Sequence, residues 1–360
     1  MVEWEKNDIV MAMLDRLFNW FSYDLGIDLG TANTVMMVKG KGMVVREPTV
    51  VARKKKSKEL LAVGGEAKKM LGKNPAEIEV IKPLVDGVIA DFDATRDMLR
   101  HYFLEIHQHV GWMPRLARPK VLMGIPSGVT EVEKRAVQDA ALRAGARKAL
   151  LVEEPMLAAI GAGISVEKPD GQLVVDIGGG TTEIAVISLG GIVINRSLRI
   201  AGEEMNEAII KSARLKHGLL LGETTAEEVK IGIGSARPFE KEKSHVVRGR
   251  DMEKGLPRSL KMKSAEIREA LAPVVQEIVG AIADTIEETP PELVADVLQH
   301  GIVLAGGGAL LFGMDKVITE VTKMPVWVTD DPQDAVVKGC GKLFEDEKLL
   351  ETVRVKRGLR

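Results

Sequence analysis

Two short segments of this chain share one frame, and no other feature restricts the fold as much. "DLGTANT" (28–34) and "DIGGGTT" (176–182) each read acid, apolar, glycine, three residues, threonine, and each follows an apolar run. Their aspartates lie 148 positions apart (176 minus 28). A buried strand that ends twice in an acid and glycines points to an internal duplication at domain scale, not to a solenoid of short repeats.

The surrounding pattern gives two copies of one plan. Segments 24–30, 34–39, 43–46, 48–53 and 59–63 read as short strands, with a tight hairpin signal in "VKGKGMVV" (38–45). A helix is expected over 92–110, a buried strand over 120–126, and a helix over 130–146 with a threonine cap and a glycine after its end. "KALLVEEP" reads as a strand running into a helix at 155–163, and "PDGQ" (169–172) as a turn and boundary. The plan then restarts with strands 172–177, 182–188 and 191–200 and helices near 203–217 and 224–231. A strand-like stretch at 241–263, a long helix over 264–288 ending before Pro290 and Pro291, and a buried strand in "GIVLAGGG" (301–308) complete it. Segments mixed in this way argue for two α/β domains facing a cleft.

Composition narrows the class. A chain of 360 residues suffices for about two domains. At 45% hydrophobic and 4% aromatic it suits an aliphatic α/β core. The net charge of -2 supplies no global basic field for nucleic acid, so no nucleic-acid partner is expected. The single Cys340 leaves no intramolecular disulfide and fits a reducing cytoplasm. No apolar run is long enough to span a bilayer, and the start does not read as a signal peptide. A cytoplasmic protein, soluble or peripherally attached to membrane, is therefore expected.

Glycine turns close three apolar strands, at 28–34, 176–182 and 305–308. Glycine lets the backbone approach a ligand closely, and successive N–H groups in such turns make a concave anion site. Thr31, Thr34, Thr181 and Thr182 would add hydroxyl donors. A carboxylate beside a phosphate repels it unless a divalent cation lies between them. Mg²⁺ keeps most of its waters and is held by one or two carboxylates plus substrate phosphates. Asp28 and Asp176, one per half, would then meet across one Mg²⁺–triphosphate, holding the metal through water. There is no G-x-x-x-x-G-K-[ST] loop. "GIGSARP" (232–238) follows a helix, not a strand, which argues against it as a phosphate loop.

"GIDLGTANTVMMVKGKGMVVREPTVVA", "VEEPMLAAIGAG", "VVDIGGGTTEIAVISLGGIV", "IAGEEMNEAI" and "LAGGGALLFGMD" closely resemble the MreB family of bacterial actin homologues, its Mbl paralogues included. The resemblance covers roughly residues 22 to 345. It implies an actin-like ATPase fold: two duplicated α/β domains around a nucleotide cleft, each with a smaller inserted subdomain. Domain I would span 22–168 with its small subdomain near 47–85, and domain II 169–331 with its small subdomain near 205–263. Residues 332–360 would return to domain I, and 1–21 would form an N-terminal extension and amphipathic helix. ATP with Mg²⁺ would lie between Gly30, Thr31, Ala32 and Asn33 of the first loop and Gly178, Gly179 and Gly180 of the second. Gly306, Gly307 and Gly308 would form the adenosine loop, with Glu227 and Lys230 reaching ribose and adenine. Glu154 would orient or deprotonate the attacking water, helped by Thr181. The activity implied is a slow Mg-dependent ATPase coupled to filament assembly and turnover. The implied partners are the chain itself in paired antiparallel protofilaments, inner-membrane lipid, and wall-elongation membrane proteins of the MreC, MreD and RodZ type. The implied role is to maintain rod shape by guiding wall elongation at the inner face of the cell membrane. Chaperone-type and plasmid-segregation ATPases share the loops and remain the alternatives.

Two apolar elements bear on membrane. Leu14, Leu17, Phe18 and Phe21 share one helical face at i, i+3, i+4, i+7, which suits a helix lying in the bilayer interface. The other reading packs that face on the protein's own core. Residues 1–22 carry Glu3, Glu5, Asp8 and Asp15 against Lys6 and Arg16, so no basic flank assists binding to anionic lipid. Trp112, Met113 and Leu116 form a second apolar group in the proline-bounded loop 111–119, which would either insert into membrane or cap the adjacent helix.

Overall fold

The computed structural model describes residues 23–110 and 118–355 of the chain. Leu14, Leu17, Phe18 and Phe21, and likewise Trp112, Met113 and Leu116, lie outside the described residues.

The first half opens with three antiparallel strands, β1 (Asp24–Leu29), β2 (Asn33–Val38) and β3 (Gly42–Pro48). A small sheet follows, made of β4 (Val51–Lys54), β5 (Leu60–Val63) and β6 (Ile78–Ile81) with helix α1 (Gly64–Met70). The hairpin β7 (Leu84–Val85) and β8 (Val88–Ile89) leads into α2 (Phe92–Val110), β9 (Lys120–Ile125), α3 (Glu131–Ala144), β10 (Lys148–Glu153) and α4 (Glu154–Gly161). The second half repeats the opening with β11 (Gln172–Ile177), β12 (Thr182–Ser188) and β13 (Gly191–Leu198), then α5 (Gly202–His217). Its small sheet is β14 (Leu219–Leu220), β15 (Ser244–Asp251) and β16 (Pro257–Lys263), with α6 (Glu223–Ile233) between the first two. The chain closes with α7 (Ser264–Glu288), α8 (Pro291–His300), β17 (Ile302–Ala305), α9 (Met314–Thr322), β18 (Val326–Val328), α10 (Ala335–Leu343) and α11 (Glu347–Val353).

The two large sheets are the same sheet built twice. Their orders are β10-β9-β1-β2-β3 and β18-β17-β11-β12-β13, with parallel pairs on the first side and antiparallel pairs on the second. Even the hairpin registers agree. Asp28 faces Val35 and Leu29 faces Thr34; Asp176 faces Glu183 and Ile177 faces Thr182.

Strand alternation explains the layers. On β11, Leu173, Val175 and Ile177 pack with Met205, Ile209 and Leu271 of α5 and α7, while Val174 points to the other face. There it meets Leu157 of α4 and Val336 and Cys340 of α10, together with Leu122 of the first sheet. Burial of each such side chain contributes about 1.5–3 kcal/mol. The α4–α10 crossing is a backbone contact, because a Cβ on Gly161 or Gly339 would collide with the carbonyl of Ala335 or Leu157. These two helices therefore tie the halves together beneath the cleft.

Local chemistry sets the helix ends. Thr130 caps α3 by accepting from the Glu133 N–H at 3.3 Å, and Glu133 accepts from the Thr130 N–H at 2.6 Å. Gly218 ends α5 in the left-handed region. Pro290 and Pro291, read from sequence as a helix stop, also start the next helix. Pro291 is the first residue of α8, where its missing N–H costs nothing. The sequence reading of 48–53 as one strand is corrected to a break between β3 and β4 at Thr49 and Val50.

Candidate functional site

Each large sheet aims one row of side chains into the space between the halves. In the first the row is Asp28, Val35 and Arg46 across β1, β2 and β3; in the second it is Asp176, Glu183 and Ser197 across β11, β12 and β13. The turns after β1 and β11 meet there closely. A Cβ on Gly179 would stand 2.6 Å from the Ala32 Cβ, and one on Gly180 would stand 2.7 Å from the Thr31 Oγ1. Only side-chain-free backbone fits this approach.

A cavity of about 630 Å³ opens between the turns. Asp28, Gly30, Thr31, Ala32 and Asn33 line it from the first half, with Glu154 at the head of α4. Asp176, Gly178, Gly179, Gly180 and Thr181 line it from the second, with Glu227 and Lys230 of α6 and with Gly306, Gly307 and Gly308 after β17. Asp28, Asp176, Glu154, Thr181, Glu227, Lys230 and the glycine-turn residues expected from the sequence therefore line one cavity. Gly306 has φ +79°, and a Cβ there would collide with the Asp176 carboxylate and the Ile177 carbonyl.

Two expected hydroxyl donors face elsewhere. Thr34 is fully buried and lies 2.9 Å from the Thr49 hydroxyl, which donates to the Gly30 carbonyl at 2.7 Å. Thr182 is equally buried and donates to the Ile200 carbonyl at 2.7 Å. Both threonines pin their turns from behind. Hairpin register explains the correction: the residue seven after the acid faces it and shares its side of the sheet, so the residue six after points to the opposite side. Thr31 lines the cavity, and its hydroxyl accepts from the Gly87 N–H at 2.9 Å.

Electrostatics show what the site lacks. Burial and then the nearby Asp334 push Asp28 up to about 7. Burial, then Asp28 and Glu183, push Asp176 up to about 8. Glu154 is held well above the usual carboxylate range by burial, then by Asp28, Glu183 and Asp176. Among the described residues no cationic side chain offsets these three acids. Removing charges from water without a counter-charge is costly, so the donor set fits a divalent cation arriving with a polyphosphate. Among the described residues no cluster of three or more acidic, histidine or cysteine ligands could hold a metal by itself. Two carboxylates and water are the coordination that Mg²⁺ accepts.

Several residues on or behind the cavity wall escaped the sequence reading. Arg46 is 47% exposed and bonds Asp334, which is 5% exposed and lies at the start of α10. Glu183 accepts from the Ser197 hydroxyl at 2.5 Å and from the Ser127 N–H at 3.1 Å, so it joins the second sheet to the turn after β9. Gly232 and Gly234 of the discounted "GIGSARP" line the cavity, as do Phe239, Lys243 and Phe312. The segment does run on from a helix, α6, as read from the sequence. In a smaller adjoining pocket that shares Thr31, Ala32 and Lys230, Lys68 pairs with Glu227 at 2.5 Å, and Lys82 pairs with Glu203 at 2.7 Å and with Glu223. Lys230 donates to the Gly202 carbonyl at 2.7 Å, and burial lowers its pKa.

Comparison with known proteins identifies the family and the fold. The MreB/Mbl protein family profile matches residues 22–352. The cell shape-determining protein MreB of Escherichia coli (strain K12) is 48% identical over 337 residues, 92% of this chain and 96% of the relative. The cell shape-determining protein Mbl of Bacillus subtilis (strain 168) is 44% identical over 326 residues, 91% and 97% of the two chains. The crystal structure of MreB5 of Spiroplasma citri bound to AMPPNP superposes with a TM-score of 0.86 at 39% identity, covering 91% of this chain and 97% of that one. The fold is the actin-like ATPase fold.

Proposed function

This chain belongs to the MreB/Mbl family, and from that premise we propose that it is an ATP-dependent polymerising cytoskeletal protein that maintains cell shape. One observation carries the nucleotide reading: two glycine turns, one from each half, meet over buried carboxylates that no cation among the described residues offsets. The AMPPNP bound to the Spiroplasma relative supports it. The domains we propose are 22–168 and 169–331, with 332–360 returning to the first, so that one nucleotide touches both.

The chemistry follows from the lining. Backbone N–H groups of Gly30–Asn33 and Gly178–Gly180 would cradle the phosphates, and Gly306–Gly308 with Glu227 and Lys230 would hold the nucleoside. Asp28 and Asp176 would hold hydrated Mg²⁺, which would spread the charge of the β- and γ-phosphates. Glu154 would orient the attacking water and accept its proton, and Thr181 would hold that water or the γ-phosphate. Burial and the neighbouring Asp28, Glu183 and Asp176 raise the affinity of Glu154 for a proton, the direction a general base requires. Phosphoryl transfer depends mainly on positioning and charge stabilisation, which these groups supply. The residual activity would be slow and would time filament turnover.

The assembly we propose is a pair of antiparallel protofilaments lying on the inner face of the cell membrane, where it would guide wall-elongation proteins of the MreC, MreD and RodZ type. Among the described residues no helix is long and apolar enough to cross a membrane. Attachment would instead use Leu14, Leu17, Phe18 and Phe21, with Trp112, Met113 and Leu116. Partial burial of one such set gives a few kcal/mol, about 1.5–3 kcal/mol per fully buried side chain, and a filament multiplies it.

Negative-stain electron microscopy of the purified chain on a lipid monolayer tests this. Straight paired filaments with Mg-ATP and none without nucleotide are expected. Deleting residues 1–22, then substituting Trp112→Ser, should release filaments from lipid without dissolving them. Absence of filaments both on lipid and in solution would sink the polymer reading while leaving the nucleotide site to be tested separately.

A further inference from the structure

One wall of the cavity is aromatic, and nothing in the turns explains it. Phe239 and Phe312 stack with ring centroids 4.4 Å apart and planes 27° apart. Lys243 Nζ lies over the Phe239 ring, 4.3 Å from its centroid. All three line the same cavity as the glycine turns. In a chain with only 4% aromatic residues, such a pair facing an opening is conspicuous.

The pair is built in place. Phe312 follows the 307–310 turn, and Phe239 follows α6. Their loops are tied by the Ala236 N–H, which donates to the Phe312 carbonyl at 2.8 Å, and by a bridge between Ser235 and Phe312. The positive φ of Gly313 (+79°) and its closeness to Arg237 fix the exit from Phe312. The Lys243 ammonium covers Phe239, and Phe312, 48% exposed, keeps ring surface open to the cavity. A packing role would bury that surface; here a self-supporting stack leaves it exposed.

We propose that Phe312, backed by Phe239 and Lys243, is the stacking platform for the base of the nucleotide and determines base affinity. This rests on the nucleotide reading above. The carboxylates on β1 and β11 make the floor charged, and the aromatic pair makes this wall apolar and polarisable. A nucleoside triphosphate has the matching asymmetry, with charge at one end and a planar π-system at the other. Aromatic faces stack on bases, and stacking of one base is worth roughly five- to 150-fold in affinity. Lys243 would polarise the stack by sitting over its outer ring.

The test is equilibrium binding of Mg-ATP and of Mg-tripolyphosphate, which has the charge without the base, to the full chain and to F312A, F239A and F312W. The unmodified chain should bind ATP far more tightly than tripolyphosphate. F312A should weaken ATP by about tenfold (about 1.4 kcal/mol) and leave tripolyphosphate within twofold. F239A should weaken ATP less, and F312W should restore it and show tryptophan quenching on ATP addition. ATP binding by F312A and F239A within twofold of the unmodified chain would overturn the platform while leaving the nucleotide site intact. Equal binding of ATP and tripolyphosphate by the unmodified chain would overturn it too. Binding of neither would remove the nucleotide reading and this inference with it.

Discussion

The two large sheets share order and register but not chemistry. The first sends the row Asp28–Val35–Arg46 toward the cleft; the second sends Asp176–Glu183–Ser197. A base in the first row answers an acid at the start of α10, whereas the second row gathers acids and satisfies Glu183 with a hydroxyl and a backbone N–H. A second contrast lies one strand away. β17 runs into Gly306–Gly308, which line the cavity, while its counterpart β9 runs into Pro126, Ser127 and Gly128, which do not. Duplication supplies the frame, and divergence at a few row and turn positions makes this cavity two-sided.

The largest expected effect concerns Glu154, the cavity-lining acid at the head of α4. Glu154→Gln should lower ATP hydrolysis by about 10²–10⁴-fold with nucleotide affinity changed only a few-fold, as steady-state phosphate release and equilibrium binding would show. Little loss of hydrolysis would move the base elsewhere, with Glu183 the next acid to examine.

Next comes the turn contrast. Gly306→Ala should cost several kcal/mol and abolish ATP binding, because it strains a positive φ and drives a Cβ into the Asp176 carboxylate. Gly128→Ala, whose Cβ would meet only the Ser197 side chain, its Cβ at 3.2 Å and its Oγ at 3.6 Å, should cost about 1 kcal/mol or less. Melting curves and ATP titrations of both variants would show it. Equal costs would break the proposed asymmetry.

The row contrast also sets a pH dependence. Unfolded aspartate releases its proton near 3.8, native Asp28 near 7 and native Asp176 near 8. Between these values the native state holds more protons than the unfolded state, so stability without nucleotide should fall as pH rises from about 4 to 8. Asp176→Asn should flatten that fall and raise the melting temperature at pH 8 more than at pH 5. A melting temperature that instead rises over this range would contradict the crowding of unpaired acids.

The smallest effects fall at the row ends. Arg46→Gln strands a buried carboxylate at Asp334 and should cost about 1–3 kcal/mol. Ser197→Ala removes one of two donors to Glu183 and should cost about 1–2 kcal/mol. Urea denaturation at pH 7 would rank them.

Much of this was legible in the sequence for a local reason. An acid, a glycine turn and a threonine within seven residues determine a hairpin end, so both turns and all their acids could be named from "DLGTANT" and "DIGGGTT". What could not be read depends on distant pairing. Arg46 meets Asp334 across 288 positions, and Phe239 meets Phe312 across 73 (312 minus 239), a relation no local spacing encodes. The terminal helices α8 to α11 also escaped. α10 carries two glycines in nine residues, a poor helix by propensity that stands because Gly339 admits the backbone of α4. The misjudged threonines are a different case. Their orientation followed from hairpin parity, available once the strands flanking each turn had been assigned.

The central claim is that one metal–triphosphate is held jointly by both halves through Asp28 and Asp176. The most direct measurement is a double-mutant cycle of Mg-ATP affinity, by titration calorimetry, over the unmodified chain, Asp28→Asn, Asp176→Asn and the double variant. A shared site requires each single change to remove most of the Mg-dependent affinity and the double change to remove little more. Independent, additive losses, or a single variant that binds Mg-ATP as well as the unmodified chain, would contradict it.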